Sequence, residues 1–281
     1  MLINSVSDTA RWVAVYRAME TERPDAIFRD PFADRLAGEE GRRIVREMRQ
    51  GKSMAWAMVV RVAVFDELIM ERISSGEVDL VINLAAGLDA RPWRLHLPPE
   101  LRWVDVDLPV MIDYKLSELA REKPRCRYEA IAADLSDATA RRDLLAQLAT
   151  RGTSALVISE GLLIYLGEES VGALARDLHA TGIAKWWITD LASPRLLRFM
   201  TRMWGRNVKA GNAPFLFAPA NGSGWFGQFG WRERAIRFNM EEARRLHREM
   251  RFMWLWRKLM FTAKQREEGR RMAVAVVLER A

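Results

Sequence analysis

The chain has 281 residues, 49% of them apolar, which is enough for one large core or a core with a cap. Its single cysteine, Cys126, excludes an intrachain disulfide and fits a reducing compartment. The formal charge is +7 but uneven: residues 195–281 hold 19 basic and 7 acidic side chains, so a nucleic-acid partner has to be weighed.

The N-terminus lacks a basic segment followed by an apolar one. The longest apolar stretch, Met54 to Phe65, is broken by Arg61 and is far short of a membrane span. A soluble, cytoplasmic protein without membrane attachment is expected. Ser5 to Arg23 predicts a helix, capped by Ser7 or Asp8 and stopped by Pro24. Gly38 to Gln50 predicts a second, closed by Gly51, and Ser53 caps a third that runs to about Ser75. All three precede the first strand, so they are expected to cover a sheet edge or a ligand cleft. Residues 1–76 are set apart on this ground as an N-terminal helical cap on a core of residues 77–281.

From Val78 the pattern changes to alternating strands and helices, which predicts a mostly parallel sheet with helices on both faces. The strands read as 80–84, 102–107, 127–132, 154–159 and 184–191, with helices at 109–122, 137–150 and 170–181. After Pro194 a basic helix leads into Gly205 to Gly230, rich in glycine and aromatics, which reads as a binding loop or lid. A strand at 232–238, a helix opened by Asn239 and a last strand at 272–278 close the chain.

Chemistry concentrates where the first strand ends. Leu80 to Leu84 is a run of apolar residues broken only by Asn83, and it leads into Ala85, Ala86 and Gly87. Small side chains there let backbone N–H groups approach a ligand, and Gly87 can take φ > 0. The second strand ends in Asp107, 23 residues beyond Leu84, a spacing that sets a carboxylate beside the ribose of a nucleotide over the first turn. Asp107 is preferred to Asp105 because it stands nearer the strand end. The full Gly-x-Gly-x-x-Gly pattern is missing and Pro92 follows soon, which argues against a dinucleotide; no Gly-Lys-Ser/Thr follows, which excludes a P-loop. A nucleoside ligand without phosphates suits the turn better, and S-adenosyl-L-methionine is one. His96, His179 and His247 share no metal-ligand spacing, so no metal is expected.

Val81 to Leu95, with Asn83-Leu84-Ala85-Ala86-Gly87-Leu88-Asp89-Ala90-Arg91 at its centre, resembles the first motif of the leucine carboxyl methyltransferase family, in its bacterial S-adenosylmethionine-dependent O-methyltransferase branch. Further stretches are similar in order: Ser7 to Ala10, Arg17 to Glu20 and Asp30 to Ala33, then Asp105 to Pro109, Ala133 to Leu135, and Ser159 to Leu166. The resemblance covers residues 5 to 195 and is loose beyond. It implies a Rossmann-like class I methyltransferase fold, with a seven-stranded sheet whose last strand is antiparallel. It also implies that Ala85, Ala86, Gly87, Asp107 and Leu108 hold the cofactor's nucleoside, that Asp134 and Leu135 meet the adenine, and that Arg61 holds the carboxylate. Glu160 is the candidate acceptor for the α-ammonium, and Tyr165, with Glu160, for the methyl-transfer site. A buried Arg61 needs an anionic partner in any case, and Asp66 or Glu67 are the nearby alternatives. Asp89 and Arg91 read as a pair ordering the loop.

The expected activity is methyl transfer to a carboxylate or hydroxyl oxygen of a small molecule, leaving S-adenosyl-L-homocysteine. The N-terminal helices and an aromatic loop at about 205–231 are expected to form the acceptor pocket. Two other readings stay open: a nucleic-acid methyltransferase, using basic residues interleaved with Trp204, Trp254 and Trp256, and a non-catalytic protein that keeps the fold for binding. Against the first, Arg244, Arg245, Arg248 and Arg251 share a helix with Glu241, Glu242 and Glu249, as on a solvated face. The sequence assigns no oligomeric state.

Overall fold

Leu80 to Leu84 forms the strand its composition demands, β1, buried along its whole length. The computed structural model describes residues 6–47, 55–210, 214–250 and 262–281. β1 lies between β2 (Arg102–Asp107) and β4 (Ala155–Ser159), both parallel to it. β3 (Arg127–Ala132) pairs outside β2, and β5 (Ala184–Ala192) outside β4. With β6 (Trp231–Phe238) and β7 (Ala273–Arg280) the order becomes β3-β2-β1-β4-β5-β7-β6. β7 runs antiparallel to both its neighbours, as the expected fold requires.

Side chains alternate across this sheet, and the alternation sorts the core into two layers. Leu80, Ile82, Leu84, Val104 and Val106 pack on one side with α6 (Ala138–Ala149) and α7 (Glu168–Ala180). Val81, Trp103, Leu156, Ile158 and Ile188 pack on the other, beneath Val60, Val64, Phe65 and Leu68 of α3 (Ala55–Ser74). Eleven residues of α3 are buried, and a fully buried large apolar side chain is worth about 1.5–3 kcal/mol. α3 is thus a layer of the core, and a boundary at residue 76 would cut through one hydrophobic cluster. Of the three N-terminal helices, α1 (Val6–Thr21) and α2 (Ala33–Glu47) join in a separate cluster through Trp12, Val15, Tyr16, Leu36 and Ile44.

Several expected boundaries move. α2 starts five residues before Gly38 and kinks through it, with φ 61° and ψ −177°. A β-carbon there would lie 3.1 Å from the Tyr114 hydroxyl. The side chains of Ser7 and Asp8, and residues Gly51 and Ser53, expected at helix ends, lie outside the described residues. α4 (Arg91–Arg94) and α5 (Pro109–Glu118) follow β1 and β2, and α8 (Pro194–Ala210) runs into the stretch expected to be irregular. α9 (Asn239–Arg245) and α10 (Ala263–Arg270) precede β7. Among the described residues, no helix is long and apolar enough to cross a membrane.

The aromatic segment departs most from expectation. Gly222–Phe229 winds into a 3-10 helix and sends Phe226 into the core, edge-on to Trp187 at 5.2 Å, while Trp187 also meets Trp231 at 5.4 Å. Such T-shaped contacts contribute beyond the area they bury. The described part from Gly222 to Phe229 fills the sheet's flank; Phe217 lines the cavity described below, and Phe215 packs on Tyr165.

Candidate functional site

The sheet order reverses between β1 and β4, and open α/β sheets bind ligands in the crevice at such a point. A cavity of about 560 Å³ lies there, within the range of about 300–1,000 Å³ common to small-molecule sites. Its floor is the turn after β1. Ala85 and Gly87 both have φ of 50°, so the backbone bends away from the sheet at once. The Ala86 N–H donates to Val106 O, tying the turn to β2. A β-carbon on Gly87 would stand 3.2 Å from Ala10 of α1, which lies across the turn. Arg17 of α1 holds that position by donating to Asp30 and to Leu88 O, each at 2.6 Å.

Asp107 faces the cavity from the end of β2. Its two carboxylate oxygens accept from the Gly87 N–H at 2.6 Å and the Leu108 N–H at 2.7 Å. Burial raises its pKa above the usual carboxylate range against the pull of these two amides. Asp105, two residues back on the same face, is fully buried and committed to structure. It accepts from Asn83, Trp103, Lys115 and Tyr128. Burial and Asp105 also push the Cys126 thiol up to about 12, so it is no nucleophile.

A chain of ion pairs crosses the cavity beneath α3. Arg61 Nε donates to Glu160 at 3.0 Å and Nη1 to Asp190 at 3.2 Å, so neither Asp66 nor Glu67 is its partner. Glu160 also takes Arg91 Nη2 at 2.9 Å, and Arg91 continues to Asp89 and Asp66. Asp66 pairs with Arg94 in turn. Glu160 therefore stands as a clamp between two arginines, with both oxygens engaged. Burial works against the charge on Arg61, but Asp190 and Glu160 outweigh it and hold its pKa above the ordinary value. Asp89 and Arg91 form the loop-ordering pair read from the sequence.

Asp190 is the site residue that sequence reading missed. No motif marks it, yet the parity of β5 could have: Asp190 continues Trp186 and Ile188, the residues that pack beneath α3. Its second oxygen accepts from the Gly161 N–H at 2.6 Å. Gly161 has φ of 67°, and a β-carbon there would come within 3.3 Å of Arg61 Nη1. Gly161→Ala is expected to displace the guanidinium and so weaken ligand binding in the cavity about 10-fold, read by calorimetry, while the left-handed backbone lowers fold stability by about 1–2 kcal/mol.

Asp134 lies exposed at the rim, its carboxylate accepting from Ser136 N–H at 2.9 Å, and Asp137 caps α6. Leu135 does not line the cavity; it packs against the core. Leu108 lines it and is 40% exposed. Tyr165 lines the cavity with its ring 5.6 Å from Phe215, and burial raises its pKa. Apolar side chains also line the cavity, among them Trp12, Met58, Ile164, Leu196, Met200 and Phe217. None of the three histidines lines it.

The basic C-terminal third is partly spoken for. Arg248 is buried against Glu20 at 2.8 Å, and Arg245 pairs with Glu242 and Glu67. Trp254 and Trp256, and the side chain of Trp204, lie outside the described residues.

Comparison with known proteins places this geometry. Residues 10–179 match the family model of leucine carboxyl methyltransferase. A Streptomyces avermitilis protein named "Putative S-adenosyl-L-methionine-dependent methyltransferase" is 31% identical over 259 residues, covering 82% of this chain and 87% of that one. A Streptomyces coelicolor protein so named is 32% identical over 255 residues, covering 82% and 87%. Among solved structures, a DUF574 family protein from Streptomyces avermitilis superposes with a TM-score of 0.61 at 14% identity, covering 95% of this chain and 97% of its own. Magnesium protoporphyrin IX methyltransferase from Synechocystis, solved with bound SAH, gives 0.50 at 14% identity, covering 82% and 86%. At such identities the structural likeness is one of fold, that of the class I methyltransferases. The match to the family model spans more than half of the sequence, and the chain belongs to the leucine carboxyl methyltransferase family.

Proposed function

We propose that this S-adenosylmethionine-dependent methyltransferase transfers the methyl group to a carboxylate oxygen of a small molecule with an apolar body. The residues present suit the cofactor. Asp107 offers an anionic acceptor, pre-oriented by two amides, for vicinal hydroxyls. Arg61 offers a guanidinium at the same cavity, and Asp134 an acceptor at its rim. Bound there, the cofactor supplies a methyl group already activated by its sulfonium charge.

One observation carries the choice of acceptor: of the carboxylates lining the described cavity, all but Asp134 at the exposed rim are already engaged. Glu160 is held by Arg61 and Arg91, Asp190 by Arg61 and the Gly161 amide, Asp107 by two amides, and Asp89 by Arg91 and Asn83. The Tyr165 phenol is raised by burial. A hydroxyl acceptor needs its proton removed, whereas a carboxylate is already the nucleophile. The chain's part is then to align the two reactants and keep water out, and the wall of Trp12, Met58, Leu196, Met200 and Phe217 does both.

The test is labelled methyl transfer into apolar carboxylic acids and into their matched alcohols and phenols, followed by mild alkali. Methyl esters release labelled methanol and ethers do not. Base-labile label confined to the acids is the expected result; alkali-stable label in the alcohols or phenols would overturn the carboxylate assignment.

A further inference from the structure

We infer that Asp190 is a positioning residue, holding Arg61 in place for the amino-acid end of the cofactor; this rests on the cofactor reading above. The placement follows from strand parity. Ile158 and Ile188 sit side by side in β4 and β5 and pack beneath α3. Glu160 and Asp190 stand two residues further along each strand direction, so both carboxylates emerge under Arg61, which α3 supplies. They take two nitrogens of the guanidinium, Nε and Nη1, from two sides. A planar fork gripped at two points cannot rotate, and Nη2 is the nitrogen these carboxylates leave over.

The two acids are not equivalent. Glu160 divides its charge between Arg61 and Arg91, whereas among the described residues Asp190 pairs with no cation but Arg61. Asp190 also fixes the backbone at Gly161 through its other oxygen, so one carboxylate sets both the arginine and the loop beside it. The three side chains remain 17%, 13% and 22% accessible, so this clamp is a wall of the cavity and not part of the sealed core.

The test compares two ligands by calorimetry: S-adenosylhomocysteine, and 5′-methylthioadenosine, which keeps the nucleoside and lacks the amino-acid end. Asp190→Asn is expected to weaken the first about 10-fold, the scale of one charge-assisted hydrogen bond, and the second less than about twofold. Arg61→Ala should show the same selectivity, and the double variant should lose no more than Arg61→Ala alone. Asp190→Glu, which keeps the charge, should recover part of the loss and serves if Asp190→Asn does not fold. Equal losses for both ligands, no loss, or additive losses in the double variant would overturn the assignment. Asp107→Ala separates the two readings, since it should weaken both ligands alike. A wild-type protein that binds neither ligand would sink the cofactor reading, and this inference with it.

Discussion

Asp107→Ala is expected to lower affinity for S-adenosylhomocysteine about 100-fold or more while the protein still melts cooperatively. The carboxylate is held toward the cavity by the Gly87 and Leu108 amides at 2.6 and 2.7 Å, so little orientation has to be lost when a ligand arrives. Hydrogen bonds to a charged group contribute about 1.5–3 kcal/mol each, so two of them, even at the lower end, amount to about 3 kcal/mol. At about 1.4 kcal/mol per factor of ten this is the predicted loss. Calorimetry measures it directly, and an alanine variant that binds within about threefold of wild type would remove Asp107 from the site.

The same residue predicts a pH dependence. Its pKa in the folded protein is raised, because burial outweighs the two amides. Between the unfolded and folded pKa values the native state binds the extra proton, so this group's contribution to stability falls as pH rises through that window. Ligand binding needs the anion, and the affinity should move the opposite way, falling as pH is lowered through the raised pKa. Asp107→Ala should abolish this pH dependence of binding together with the affinity.

Lys115→Ala is expected to destabilise the fold by about 3–5 kcal/mol, the range found when one partner of a buried ion pair is removed. Lys115 Nζ lies 2.6 Å from Asp105 Oδ2 and both side chains are fully inaccessible. Without the lysine, Asp105 keeps only the neutral donors Asn83, Trp103 and Tyr128. The uncompensated anion is what makes the loss large, so Asp105→Asn combined with Lys115→Met should recover much of it. Urea unfolding midpoints at unchanged slope measure the effect. A single variant within about 1 kcal/mol of wild type would show that the pair adds little.

The two predictions concern neighbouring acids of opposite duty. Asp105 and Asp107 share a face of β2, and what separates them is depth. Asp105 lies where Lys115 of α5 and Tyr128 of β3 close over it, and Asp107 lies one pleat further, where the strand leaves the sheet. Position at the strand end, legible in the sequence, distinguished them; the identity of Asp105's partners was not legible. Lys115 reads as one more charge on an amphipathic helix until the helix is laid against the sheet.

What the sequence by itself determined is whatever depends on neighbours along the chain. β1, β2 and β3 lie at the residues expected, because runs of apolar residues between turn formers carry their own period. The small-residue turn 85–87 and the acid that closes β2 are likewise local, and they led to the crevice. Tertiary structure decided what depends on residues far apart. Arg61 meets Asp190 across 129 positions and Glu160 across 99, so its partners could not be chosen from its flanks, where Asp66 and Glu67 stood closer. The aromatic segment looked like a lid because composition cannot say which face an aromatic ring turns to; in the fold Phe226 turns inward onto Trp187 of β5. α3 lines the cleft through Met58 and Arg61 and also packs on the sheet through Phe65 and Leu68, and that double contact exists only once the helix is laid on the fold. Short-range pattern sets the elements, and the desolvation of charges and rings brought together from distant parts of the chain sets the site.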